Sequence, residues 1–274
     1  MLALLSLVGV AMAATMFVGG PEPVDEDDGT PSGDAGPDGT GQSAPLTASG
    51  VEPWDEDDGH IHGGAGNDVL RGTEGDDRID GREGDDELDG LPGRDTLRGS
   101  EGNDQLRGHI GDDAIFGGAG DDELVGGGGN DLLDGGDGDD WLRGGEGDDM
   151  VTGGPGADQL QGSEGNDTVD GSGDDDVDYV NGGSGDDLLI GGDRDHLDGG
   201  DGDDTFRLAG RNVVVHGFDP AHDSIALLLD GPKPDLTAEA GEDGVTLFAD
   251  GQVVALFPGL TELDLLHVRF VAAE

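Results

Sequence analysis

The apolar positions between residues 63 and 170 fall on a strict period: Leu70, Ile79, Leu88, Leu97, Leu106, Ile115, Leu124, Leu133, Leu142, Val151, Leu160 and Val169 each follow the last by nine residues. The block divides into twelve consecutive nine-residue units with one aliphatic residue in each, at position 8. That residue gives its unit one core contact on a very short strand. A lone unit buries almost nothing, so the pattern predicts units stacked as a solenoid.

The other fixed positions are as regular. Position 1 is glycine throughout, at Gly63, Gly72, Gly81, Gly90, Gly99, Gly108, Gly117, Gly126, Gly135, Gly144, Gly153 and Gly162. Position 4 is also glycine, at Gly66, Gly75, Gly84, Gly93, Gly102, Gly111, Gly120, Gly129, Gly138, Gly147, Gly156 and Gly165. Glycine at two set places means that the backbone turns where a Cβ would obstruct it, or approaches another segment closely. Position 6 is always aspartate: Asp68, Asp77, Asp86, Asp95, Asp104, Asp113, Asp122, Asp131, Asp140, Asp149, Asp158 and Asp167. A carboxylate among turn carbonyls offers the hard oxygen ligands that calcium selects. Position 5 varies and accepts Arg94 and Ala157, so it is expected to face solvent and add only a diffuse negative field.

These residues carry a family resemblance. Gly144-Gly145-Glu146-Gly147-Asp148-Asp149-Met150-Val151-Thr152 resembles the calcium-binding nonapeptide of the repeats-in-toxin (RTX) family. The resemblance implies an all-β fold, a parallel β-roll in which two nonapeptides make one turn and calcium sits between successive loops on each side. Ligands then stack eighteen residues apart, Asp68 above Asp86 on one side and Asp77 above Asp95 on the other. Five gaps per side imply about ten ions in the strict block. Position 2 departs from the family's glycine at Thr73, Arg82, Leu91, Ser100, His109 and Ser163, and sites in those loops are expected to be weaker.

Beyond Asp170 the register slips, yet an Asp two residues before an apolar residue persists at Asp178/Val180, Asp187/Leu189, Asp195/Leu197 and Asp204/Phe206. This predicts four further rungs, with Asp187 and Asp204 as added ligands and the roll spanning residues 63–207. From residue 208 to 274, glycine thins out and apolar runs predict a β cap: Val213 to Val215, Ile225 to Leu229, Val245 to Phe248 and Val253 to Phe257. Asp250-Gly251 predicts a two-residue hairpin with Leu247 opposite Val254 and Val245 opposite Leu256. Val215 to Ile225 resembles the segment that closes many RTX rolls. In that family the C-terminal region carries an uncleaved export signal for type I secretion machinery, and Leu260 to Glu274 is the candidate here.

Charge changes the picture. The chain has 274 residues, no cysteine and a formal net charge of −53. Within the strict block 30 acidic residues face 7 arginines, a net of −23, against roughly +20 from about ten divalent ions. Metal would nearly cancel the repulsion, so folding and calcium binding are expected to be one equilibrium. Twelve basic residues in all exclude a nucleic-acid partner. The absence of cysteine excludes disulfides and thiolate sites, and fits an exported protein stapled by metal.

Residues 1–18 are uncharged and mostly apolar, and read either as a signal peptide or as a membrane anchor. Both readings place the remainder outside the cytoplasm, and only an uncleaved segment would touch a membrane. Residues 19–62 are rich in Pro, Gly, Ser, Asp and Glu and predict a disordered acidic linker. Within it Glu22 to Gly29 recurs as Glu52 to Gly59, differing only at Val24 and Trp54. His60 and His62 read as exposed residues at the roll's entrance. The chain contains no His-Glu-x-x-His zinc site, no Gly-x-Ser-x-Gly elbow and no cysteine nucleophile. The leading expectation is a non-enzymatic, secreted calcium-binding module. The alternatives are a small hydrolase or lyase in the C-terminal strands, or a cell-surface adhesin.

Overall fold

A computed structural model describes residues 60–229 and 233–272. The expectations for residues 1–18, and for the linker and its duplicated acidic segment up to residue 59, lie outside these. Every regular element among the described residues is a strand, apart from a single 3-10 turn at Leu265–His267. No helix there is long and apolar enough to cross a membrane.

The chain alternates between two sheets, so consecutive nine-residue units land on opposite sheets and every second unit on the same one. One sheet has 11 strands, running from Ile61–His62 through Arg78–Glu83, Thr96–Glu101 and onward to Val268–Ala272. The other has 12, running from Val69–Arg71 through Glu87–Pro92 and Gln105–Ile110 to the C-terminal strands. Within the roll all pairing is parallel. The register advances eighteen residues per turn, as in Leu88 to Leu106 and Leu142 to Leu160. The result is a parallel β-solenoid of about 9 turns.

Each position-8 aliphatic points inward, and from Leu88 to Val151 all are fully buried. Trp141 and Met150, one residue earlier in their units, face outward on opposite sheets and stay partly exposed, as strand alternation requires. The irregular rungs keep this stacking. Leu160 pairs with Val180 twenty residues on, and Val180 with Leu197 only seventeen on. Extra residues bulge into the turn around Gly171 to Val177 while the strands hold their faces. At the entrance, Ile61 is buried over Ile79. The neighbouring His60 and His62 are half-buried rather than exposed, and His62 Nδ1 lies 3.8 Å from Asp80.

The C-terminal strands close the roll. Val213–His216 and Ser224–Leu229 continue the two sheets, and Gln252–Pro258 and Val268–Ala272 pair onto them in parallel. Gly244–Ala249 and Leu236–Ala240 add an antiparallel edge. Phe218 links Phe206 of the last rung to Phe257 of the cap, with centroid distances of 5.9 and 5.2 Å. The hairpin forms at Asp250-Gly251, both with positive φ as a type I′ turn demands. Its register differs from the expected one: Leu247 lies opposite Ala255 and Val245 opposite Phe257. A bulge beside Leu247 and Phe248 inserts one residue. It keeps Val245, Leu247, Ala255 and Phe257 all buried, whereas the unbulged register would misalign the two apolar sets.

Candidate metal centre

The turns between the sheets line the two long edges of the roll, and Asp140 shows how each is built. Its side chain is 2% exposed. Oδ1 accepts the backbone N–H of Asp122, one rung back, at 2.8 Å. The backbone N–H of Asp140 donates in turn to Oδ1 of Asp158, one rung on, at 2.9 Å. The same bond recurs at 2.7–3.1 Å along one edge from Asp68 through Asp86, Asp104, Asp122, Asp140, Asp158 and Asp178 to Asp195. Along the other edge it joins Asp77, Asp95, Asp113, Asp131, Asp149, Asp167, Asp187, Asp204 and Asp223.

Position 6 is therefore a continuous carboxylate ladder on each edge. Asp178, Asp195 and Asp223 were not among the residues singled out as ligands, and the structure adds them to the ladders. Their signal is an Asp two residues before a buried apolar side chain, as Asp223 stands to Ile225.

The second oxygen is what sets these carboxylates apart. Oδ2 has no hydrogen-bond partner in Asp86, Asp95, Asp104, Asp113, Asp122, Asp131, Asp140, Asp149, Asp158, Asp167, Asp178 and Asp187, though each atom is buried. At the ladder ends it is satisfied within the same loop. Asp68 Oδ2 accepts Gly64 N–H at 2.6 Å, Asp77 accepts Thr73, Asp195 accepts Gly192 and Asp223 accepts Asp219.

The position-1 glycines form the wall of this space. A Cβ on Gly135 would overlap Asp140 Oδ2 and stand 2.7 Å from the carbonyl oxygen of Gly153 in the next turn. A Cβ at Gly63, Gly72, Gly81, Gly117, Gly126 or Gly144 would likewise meet Oδ2 of its own unit. Carboxylate and carbonyl oxygens thus share a small volume, and every one of them is an acceptor. Position 4 serves the backbone: Gly138 has φ +141°, and its Cβ would overlap the Gly120 carbonyl. Gly84, Gly120, Gly129 and Gly147 abut the preceding turn in the same way, whereas Gly66 and Gly75 meet nothing closer than 3.9 Å among the described residues. Position 2 explains the family's third glycine, since Arg82, Leu91, Ser100, His109 and Ser163 are all held at positive φ.

Burial sets the electrostatics. It pushes the carboxyls of Asp122, Asp140, Asp149 and Asp178 up to about 7, against the opposing pull of the N–H bond to Oδ1. Asp86, Asp95, Asp131, Asp158, Asp187, Asp195 and Asp204 rise to about 6 for the same reason, with neighbouring carboxylates adding to the shift. Buried carboxylate oxygens that lie among other acceptors, with their pKa raised by burial, are chemically fitted to a cation. Among the described residues no three His, Cys, Asp or Glu side chains converge on one point. The oxygens gathered at each turn come from carboxylates and backbone carbonyls, an all-oxygen lining of the kind calcium takes.

Position 5 does more than face solvent. Its side-chain oxygen accepts the N–H of the equivalent residue one rung on, at 2.9–3.2 Å. Asn67 serves Asp85, Asp85 serves Asn103, Asn103 serves Asp121, Asp121 serves Asp139 and Asp139 serves Ala157. The other edge repeats this from Asp76 to Arg94, Asp112 to Asn130 and Asn130 to Asp148. Exposed position 5 thus reaches forward while buried position 6 reaches back.

The sequence profile of the RTX calcium-binding nonapeptide repeat matches in overlapping segments at residues 62–97, 89–124, 116–151, 125–160, 152–177 and 172–206. The chain belongs to the RTX calcium-binding repeat family. Among solved structures, the AlgE6R3 subunit of a mannuronan C5-epimerase from Azotobacter vinelandii is 28% identical, with a TM-score of 0.30 over 48% of this RTX chain and 78% of its own. The extracellular lipase LipA from Serratia marcescens is 18% identical, with a TM-score of 0.23 over 76% of this chain. The RTX chain spans 38% of that lipase. No curated protein matches.

Proposed function

We propose that this protein is a secreted RTX module whose roll folds as it binds calcium, and that it acts as a structural or surface element rather than as an enzyme. The observation that carries this reading is the set of twelve buried Oδ2 atoms with no donor, six on each edge. We assign one ion to each. Ten of them fall in the strict nonapeptide block and two on Asp178 and Asp187. The ligands would be the position-6 carboxylates with the turn carbonyls around the position-1 and position-4 glycines. With calcium absent, these oxygens are desolvated and face one another, an arrangement that costs free energy at every turn. Folding is then driven by the ion, and low free calcium inside a cell would keep the chain unfolded until export to a calcium-rich exterior.

A catalytic role would need carboxylates free to move protons. The buried ones are each held by an inter-rung bond and assigned here to metal, which supports a non-enzymatic reading.

The test is circular dichroism of the full chain in chelator and on calcium addition, with bound ions counted by equilibrium dialysis. The expected result is disorder in chelator, cooperative gain of β-structure with calcium, and about twelve ions per chain. Full β-structure in chelator would overturn the reading.

A further inference from the structure

The outer face of the 12-stranded sheet carries a group of side chains that the carboxylate ladders leave unused. Leu197 and Val215 point into the core, so His196, Asp198, Val214 and His216 point outward together. Tyr179 stacks on His196 at 5.0 Å between ring centroids, and His196 lies 5.6 Å from His216. Nδ1 of His196 and Nε2 of His216 face each other at 3.3 Å. That separation lets one imidazole donate to the other across a shared proton that a metal ion can replace. It suits two imidazoles sharing an ion. At metal–nitrogen distances of about 2.0–2.1 Å, nitrogens so spaced subtend an angle of about 105°, close to tetrahedral.

We propose that His196 and His216 together bind one borderline divalent ion, of the zinc, nickel or copper class, at a site separate from the calcium ladders. Imidazole nitrogen selects such ions, whereas calcium takes oxygen donors. The protein supplies two nitrogens, and solvent completes the coordination.

The position in the fold gives the site a consequence. His196 begins the strand His196–Asp201 at the end of the roll, and His216 ends Val213–His216, which pairs onward with Gln252–Pro258 of the cap. An ion held by both would staple roll to cap. His109 bonds Asp89 at 2.6 Å, and His222 bonds Asp203 at 2.6 Å.

The experiment titrates zinc into the full chain at saturating calcium, with both metals measured by equilibrium dialysis on the same samples. One zinc ion should bind, with affinity falling at least about tenfold in His196→Ala and in His216→Ala, unchanged in His109→Ala, and with calcium content constant throughout. Loss of calcium together with zinc would instead implicate the ladders and overturn the separate site. So would zinc binding that survives both single variants, or wild-type protein that takes up no zinc. Copper loaded on the wild-type chain gives a reading that needs no variant to fold. Its paramagnetic resonance spectrum should show two nitrogen ligands, and an oxygen-only signature would reject the assignment.

Discussion

The roll and the cap are both all-β and share continuous sheets, yet they are held by different chemistry. A regular roll unit of nine residues buries one aliphatic side chain and one carboxylate, as Leu142 and Asp140 illustrate. The cap buries Val213, Val215, Phe218, Ile225, Leu227, Val245, Leu247, Ala255 and Phe257 between residues 213 and 257, with Asp223 its sole buried carboxylate among the described residues. Burial of apolar surface stabilises the cap in the ordinary way. In the roll, burial of an acidic group accompanies every burial of an apolar one, so its stability depends on what neutralises that group. The lesson is that a continuous sheet can pass from a region that buries a carboxylate in each unit to one with a mainly apolar core without a break in strand pairing.

The largest break in this comparison should come from pH. Burial raises the Asp95 carboxyl to about 6 and the Asp140 carboxyl to about 7 in the fold, above their ordinary value near 3.8, and pushes Asp104, Asp113 and Asp167 in the same direction. A raised folded-state pKa contributes stability that is fully present below the unfolded pKa and is lost as pH rises through the folded one. In chelator, the roll should therefore gain β-structure as pH falls from about 7 toward 4, acid doing in part what calcium does. With calcium bound the slope reverses, because protons compete with the ion for Oδ2. Circular dichroism across that range, with and without chelator, should give opposite trends. Parallel trends would remove the buried carboxylates as the cause.

A smaller effect should sharpen the contrast from the other side. Phe257 is fully buried and packs edge-on against Phe218 at 5.2 Å. Phe257→Ala should destabilise the cap by about 3–5 kcal/mol through lost contacts and a cavity. The calcium midpoint of the central roll should stay close to that of the wild type. Hydrogen exchange would separate the two, with faster exchange confined to residues beyond about Leu208. Equal acceleration in the central rungs would show that the cap is needed for the whole stack.

Most of the roll was legible in the sequence because its requirements are local and repeated. Gly135 must leave room for Asp140, Leu142 must fill its rung, and the same relation returns every nine residues. What escaped notice depends on neighbours in space. Asp223 joins the ladder through Asp204, nineteen residues away, after the glycine signal has ended. The hairpin register turns on one inserted residue near Leu247, which a run of valines and leucines does not reveal. His196 and His216 carry no motif and meet because a strand of the roll lies beside one of the cap.

Position 5 is the clearest case, and it supplies the smallest effect. Its composition suggests indifference, since Asn, Asp, Arg94 and Ala157 all occur there. The structure shows that Asp139 accepts the N–H of Ala157 at 2.9 Å and donates its own N–H to Asp121 at 3.1 Å. The first bond needs the side chain, and the second does not. Asp139→Ala should then cost about 0.5–1.5 kcal/mol, the net worth of one intramolecular hydrogen bond at a site where water can partly replace it. Asp139→Asn keeps the acceptor and removes the charge, as Asn67, Asn103, Asn130 and Asn166 already do. It should match the wild type in calcium, and exceed it in chelator by the relief of repulsion. Asp140→Ala, one residue along, removes a buried oxygen pair and should lower both the ion count and the calcium affinity. Chemical denaturation of the three variants at fixed calcium, with ions counted, checks all of this. If Asp139→Ala and Asp139→Asn behave alike, position 5 acts through charge alone. If they split, with the loss confined to alanine, the exposed ladder is a second tie between the rungs that works without metal.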